Sequence, residues 1–462
     1  MHQTVFNTYK AVGRLDFSRV LEMTRPYGSD QIKRMAIHND MLLAFMAPFY
    51  FIWDGPETLL VIQSVVVAAG AWAVYKIVAI VFKKNKYVSL AALIFALCYL
   101  LNPYIQRATT YEFHAVTLST TLLLYMYYFY LVRKYAVSYI FFSLALISKE
   151  QVSLTLAFFS SYIIGSHILR NKKNIWHYLK TNRDFQYGVL VFILSSIWFV
   201  LSIFVIIPYF RGGTHFAIAY YGDFGDSPSK VIFGILKNPF TVARYITQTS
   251  TYEYMFYLLG PLGFVSLISP IYLLIVSPEM AINILSNNYH MRELIFQYTA
   301  VLSPWIMIAG IYGTKNIINF LESKFKSRYI SPIVLSYVLT ATLTFMYLKS
   351  PLPYSREQDL YPIKYPQSEF REINQWSKTL HDRSLKVSTT GHIAPFFTSR
   401  RYFYNFSDTY HLADYVLIQS NEIYNDVEKD KLIPPYLQLQ KDKRFEKIYQ
   451  KNDLEIYRKI KK

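Results

Sequence analysis

The chain has 462 residues, with 48 Lys and Arg against 30 Asp and Glu, and so a formal charge of +18. A single cysteine, Cys98, excludes an internal disulfide and a cysteine-based metal cluster. The basic surplus sits in short clusters between apolar stretches, not on one soluble face, which points away from nucleic acid and toward a multi-pass membrane protein.

The mean hydropathy of +0.18 is modest for that class. About 110 polar residues at the C-terminal end and 42 tyrosines, which favour the headgroup interface, account for it.

Residues 1–56 read as an external loop carrying one short apolar run, Met41 to Trp53. That run is too short to span and reads as an interfacial or re-entrant helix, with Asp40 at its start as a capping residue. An external segment of this size needs a preceding apolar helix to deliver it. The expectation is therefore that Met1 is an internal methionine or that the chain is a fragment.

Residues 57–350 read as a transmembrane helical core. The stretches 58–75, 88–106, 115–132, 187–210, 254–278, 294–314 and 329–348 contain no Lys, Arg, Asp or Glu. Each is close to the roughly 20 residues a helix needs to cross hydrocarbon. Lipid cannot satisfy an open backbone, so these segments must be helical.

The basic clusters Lys83–Lys86, Arg133-Lys134 and Arg170–Lys173 are expected in the cytoplasm. Parity then places loop 103–114 and the turn at Lys149-Glu150-Gln151 outside. Within 254–286, Pro261, Pro270 and Pro278 each remove a backbone donor. A bent hairpin there keeps the basic loop 315–328 cytoplasmic and the C-terminal domain extracytoplasmic; a single crossing would reverse both. Residues 211–253, rich in glycine, read as a long external loop of the kind that often forms lids.

From residue 351 the chain reads as a small soluble α/β domain. An amphipathic helix is expected over Glu369–Asp382, with strands at Leu385–Thr390, Tyr415–Ser420 and Leu454–Ile460 and a helical turn around Ile393–Thr398. It carries no Gly-rich phosphate loop, nucleophile elbow or metal spacing. The fold class expected is an all-α polytopic membrane protein with a small extracytoplasmic α/β domain.

Met1–Thr8, Ile37-His38-Asn39-Asp40, Gly55–Leu60, Tyr99–Pro103, Tyr111–His114, Ser148–Gln151, Pro278-Glu279 with Asn283, Tyr298, Ser399–Tyr402 and Ala413–Leu417 together resemble an uncharacterised membrane family called domain of unknown function 2079. That family looks like a distant branch of the C-type glycosyltransferases. The resemblance implies a helical core of that type, a cell-membrane location, and a polyprenyl-phosphate-linked sugar as donor on the outer face. In those enzymes an acid in the first external loop serves catalysis; the matching position just before Gln3 is His2 here.

Glu112 and His114 lie in a short external loop, where a carboxylate could take a proton from an acceptor hydroxyl or hold a divalent cation with the histidine. A hydrated loop is the plainer account of the same residues. Lys149 and Glu150 are sharper, because ionisable groups at membrane depth usually face a cavity or a partner. Lys149 suits a lipid-linked phosphate and Glu150 a general base. The alternative is a snorkelling lysine and a glutamate at a helix N-terminus.

Arg292, beside Glu279, His290 and Glu293, suits bidentate phosphate recognition, and His38 with Asp40 approaches the same vestibule. A divalent cation is the one cofactor candidate, with its ligands unassigned. Transport or flipping of a lipid-linked or polar solute, and a non-catalytic envelope role, are the competing functions. Transporters of that kind are built from inverted repeats with broken helices in corresponding places; here the breaks concentrate in 254–286.

Overall fold

Apolar stretches that cannot leave their backbones open in lipid wind into helices, and every charge-free stretch between residues 58 and 348 is helical in whole or in part in the computed structural model. The structure describes residues 1–171, 175–358, 368–425 and 429–460, so Lys172 and Lys173 of the third basic cluster lie outside the described residues. The protein is an all-α polytopic membrane protein with a small C-terminal sheet domain. Among the described residues four helices are long and apolar enough to cross a membrane: Glu57–Val81, Val152–Leu169, Arg183–Arg211 and Ile330–Lys349. The pair Val88–Leu100 and Pro103–Tyr111, bent by 40°, makes a fifth if it is one span.

The chain divides into two compact units. One comprises Ile37–Leu42 and Leu60–Pro362 and contains the helical core. In it, helix Leu302–Phe325 packs against the irregular segment Gly260–Ile268 through Gly313, where an added Cβ would stand 1.9 Å from the Val265 carbonyl oxygen. Small residues let membrane helices approach this closely. The proline-broken stretch is irregular as expected: helix Thr249–Leu259 gives way to two 3₁₀ turns around left-handed Gly263 and Phe264, then to helices Pro270–Ile275 and Ser277–Ile284.

One segment of this unit differs from expectation. Residues 211–253 are not a bare loop. They hold a 3₁₀ turn, Phe216–Tyr221, and the amphipathic helices Pro228–Lys237 and Pro239–Ile246, each with proline in its first turn, where no N–H is needed. The apolar run near residue 41 is a 3₁₀ helix, Met41–Phe51, containing Pro48.

The other unit comprises Met1–Ala36, Leu43–Leu59 and Ile363–Lys462. Its five-stranded sheet runs in the order Phe403–Asn405, Val387–Thr389, Tyr415–Gln419, Leu454–Lys459, Phe445–Lys451, the first three parallel and the last two antiparallel to their neighbours. Alternation along the central strands sorts the core onto two faces. Val416, Ile418 and Tyr457 pack with Tyr436 and Leu439 of helix Lys429–Lys441, whereas Leu417 and Ile456 pack with Ile373 of helix Ser368–Thr379. Strands Phe403–Asn405 and Phe445–Lys451 and helix Lys429–Lys441 are additions to the expected elements.

Residues 1–56, expected as loop, carry helix His2–Gly13 and the hairpin Glu22–Thr24/Gln31–Lys33. The helix is tied to the sheet domain by side chains at its first turn. His2 bonds Tyr50 Oη at 2.7 Å and Ser399 Oγ at 2.8 Å, and Gln3 Nε2 donates to the Arg401 carbonyl at 2.8 Å.

Candidate functional site

Helix Tyr135–Leu146 ends and helix Val152–Asn171 begins around Lys149-Glu150-Gln151. The hydroxyls of Ser148 and Ser153 donate to the carbonyls of Ala145 and Glu150 and so brace this turn from within. Segment Ile37–Leu42 docks on the turn: the Leu42 N–H donates to the Ile147 carbonyl at 3.0 Å. That docking brings the Asn39 N–H to 3.0 Å from Glu150 Oε2 and His38 Nδ1 to 2.8 Å from Glu150 Oε1.

His215 completes the clasp, its Nε2 lying 3.2 Å from the same Oε1. It opens the 3₁₀ turn Phe216–Tyr221, where the Ala217 N–H donates to His215 Nδ1 at 3.0 Å. An acceptor Nδ1 means the neutral ring carries its proton on Nε2 and donates it to Glu150. Beneath, Asn39 Nδ2 donates at 2.7 Å to Ser202 Oγ, the first residue of a π-helical stretch, Ser202–Ile206. Pro208 explains the stretch: its ring crowds the carbonyl of Phe204, and the widened turn relieves the clash.

Burying a carboxylate costs several kcal/mol unless hydrogen bonds replace its water. The Glu150 side chain is 4% exposed, that of His215 7% and that of His38 19%. Burial pushes the Glu150 pKa upward, but His38 whenever its ring is protonated, the hydrogen bonds from His215 and His38, and the charge of Lys149 outweigh it. The carboxyl is held well below its usual range and stays ionised.

Lys149 is 8% exposed and, among the described residues, forms no ion pair. On its other side Gln151 Nε2 donates at 2.6 Å to Glu279 Oε1, while the buried Glu279 Oε2 has no hydrogen-bond partner among the described residues. The turn thus presents a lysine whose charge acts through space on two buried carboxylates, Glu150 and Glu279.

His38, Glu150 and His215 offer three ligand atoms within 4.8 Å of one another, a two-histidine, one-carboxylate set suited to zinc. The tautomer argues against that use. A metal on His215 Nε2 would force a proton onto Nδ1, where it would face the Ala217 N–H, instead of the acceptor that metal-bound histidines normally address. The arrangement fits a hydrogen-bonded carboxylate better than a metal centre.

The other sequence candidates make different contacts. Buried Gln63 pins the loop before helix Ala115–Leu131, donating to the carbonyls of Thr109 and Glu112 at 2.7 and 2.9 Å and accepting from the His114 N–H at 3.0 Å. The Glu112 side chain itself is exposed. His114 stacks on Tyr111, which meets Phe296 edge-on, and Phe296 in turn meets His290. Arg292 Nη1 caps helix Ser277–Ile284, donating to the carbonyls of Ile284 and Ser286 at 3.1 and 2.7 Å.

The structure therefore joins His38, Lys149 and Glu150 in one cluster, leaves Glu112, His114 and Arg292 with other partners, and adds His215, Asn39 and Glu279. His215 escaped sequence reasoning because its surroundings, Arg211-Gly-Gly-Thr-His-Phe, match no spacing of ligands or catalytic groups.

The family described as "Predicted membrane protein (DUF2079)" matches residues 13–456. The chain belongs to that family of predicted membrane proteins. None of the curated proteins compared with it matches.

Proposed function

We propose that the protein transfers a sugar from a polyprenyl-phosphate donor to an acceptor hydroxyl on the extracytoplasmic face of the cell membrane, where its C-terminal domain also lies. The observation that carries this reading is the buried Glu150 carboxylate, ionised and hydrogen-bonded to His38, with Lys149 next to it in the chain. In the proposed step the acceptor oxygen forms a bond to the sugar's anomeric carbon as the bond from that carbon to the phosphate oxygen breaks. The hydroxyl proton passes to His38, the most exposed member of the clasp, and Glu150 stabilises the imidazolium. An ionised, low-pKa carboxylate is a weak base itself but a good orienting anion. Lys149 holds the polyprenyl phosphate as its charge develops.

In this reading Glu112 is an outer-loop residue whose carboxylate, unlike its backbone carbonyl, has no hydrogen-bond or ion-pair partner among the described residues, His114 lines the vestibule, and Arg292 acts as a helix cap more than a phosphate ligand. The test is formation of polyprenyl phosphate and glycosylated acceptor by the purified chain in liposomes containing donor lipid. Glu150→Gln should slow turnover at least about a hundredfold, the usual scale for losing acid–base catalysis, while Glu112→Gln changes it little. Unchanged turnover in Glu150→Gln removes the assignment.

A flippase for the same lipid is the second reading, favoured by the broken segment Thr249–Ile284, within which Glu279 is buried. It predicts donor translocation without chemical turnover in the same liposomes.

A further inference from the structure

A second basic feature lies in the helical unit, away from the Glu150 cluster. The loop after helix Glu57–Val81 and the loop joining helices Leu302–Phe325 and Ile330–Lys349 line one cavity of about 860 Å³. Six cationic side chains border it (Lys83, Lys84, Lys86, Lys315, Lys326 and Arg328), against the single carboxylate of Glu322. Among the described residues none of the five lysines forms an ion pair, and Lys315 is half-buried on helix Leu302–Phe325. Six cations bordering one cavity against a single acid favour an anion there.

The cavity is also held in shape. Asn85 Nδ2 donates to Ser331 Oγ at 2.8 Å, and Ser331 donates to Glu322 Oε1 at 2.8 Å, which ties the two loops together and occupies the one acid. Ile80, Val81, Phe82 and Ile318 add apolar groups to the same lining. A ligand matching both kinds of lining carries a phosphate next to apolar matter, as a lipid headgroup does. Basic pockets between transmembrane helices commonly take such headgroups.

We propose that this cavity binds the phosphate-bearing headgroup of an anionic membrane lipid. It lies on the face that carries both basic loops, which the positive-inside bias assigns to the cytoplasm, opposite to the face proposed for sugar transfer.

Native mass spectrometry of the full chain in detergent tests this with three probes: phosphatidylglycerol, phosphatidylcholine and inorganic pyrophosphate. Phosphatidylglycerol should bind and phosphatidylcholine should not. Each surface lysine is worth about fivefold in such binding, so the Lys84→Ala/Lys315→Ala/Lys326→Ala variant should lose about a hundredfold. A control variant, Lys134→Ala/Lys180→Ala/Lys237→Ala, carries the same charge change outside the cavity and should bind as the parent does. Equal binding of phosphatidylcholine, or equal loss in both variants, overturns the proposal. Displacement of the lipid by pyrophosphate at equal concentration overturns the lipid assignment in favour of a soluble phosphate ligand.

Discussion

His38 and Glu150, 112 positions apart in the chain, meet at 2.8 Å between Nδ1 and Oε1. The contact depends on a short docked segment: Asn39 and Leu42 fix Ile37–Leu42 to the turn through backbone hydrogen bonds, and the imidazole follows. The Asn39 side chain adds a further anchor to Ser202 that Asn39→Ala deletes while keeping the backbone bonds, and this loosening should lower turnover about tenfold with little change in donor affinity, measured as kcat against KM. A change confined to KM would mean the segment binds substrate and does not position His38.

Lys149 is the group expected to meet phosphate. Lys149→Gln should weaken donor binding by about tenfold or more, and Lys149→Arg should recover part of it because the charge is kept. Isothermal titration with donor lipid in detergent reads this directly. Equal affinity in all three forms would assign Lys149 a structural part only.

The His215 tautomer yields a metal prediction. Because the Ala217 N–H occupies Nδ1, neither EDTA nor added zinc should move the melting midpoint of the purified protein. A shift of more than about 3 °C, abolished in His215→Ala, would show a bound metal instead.

A pH dependence follows from His2, which burial pushes down from 6.5 to about 3. The folded form excludes a proton that the unfolded chain takes up below about 6.5, so this contribution is intact above that pH and is lost as pH falls toward 3. The loss should approach about 1.4 kcal/mol per pH unit. Protection factors in helix His2–Gly13, taken relative to the intrinsic exchange rate at each pH, should therefore fall between pH 7 and pH 5, and His2→Gln should flatten that profile. An identical profile in the variant would assign the effect to another group.

Packing in the core offers a test that does not involve the site. Gly313→Ala places a methyl group against the Val265 carbonyl and should cost about 1–3 kcal/mol of stability, seen as a lower thermal midpoint in detergent. No change would mean that segment Gly260–Ile268 yields readily.

Much of this was legible in the sequence. Charge-free stretches of spanning length fix helices because hydrocarbon leaves the backbone no other choice, and the clusters at Lys83 and Lys326 already marked two loops of one face. Lys149 and Glu150 stood out as charges between apolar helices. The clasp around them did not, because Asn39 contributes through its backbone and His215 through a loop whose path is set by tertiary contacts. Strands Phe403–Asn405 and Phe445–Lys451 were hidden for a related reason: one is three residues long, and the other is an edge strand with much of its surface polar.

The most direct measurement is a double-mutant cycle on Glu150 and His38, reading single-turnover formation of polyprenyl phosphate. If the two act as one unit, Glu150→Gln with His38→Ala should be no slower than the more damaged single variant. Losses that simply multiply, or turnover that survives both changes, would contradict the assignment of this pair as the catalytic centre.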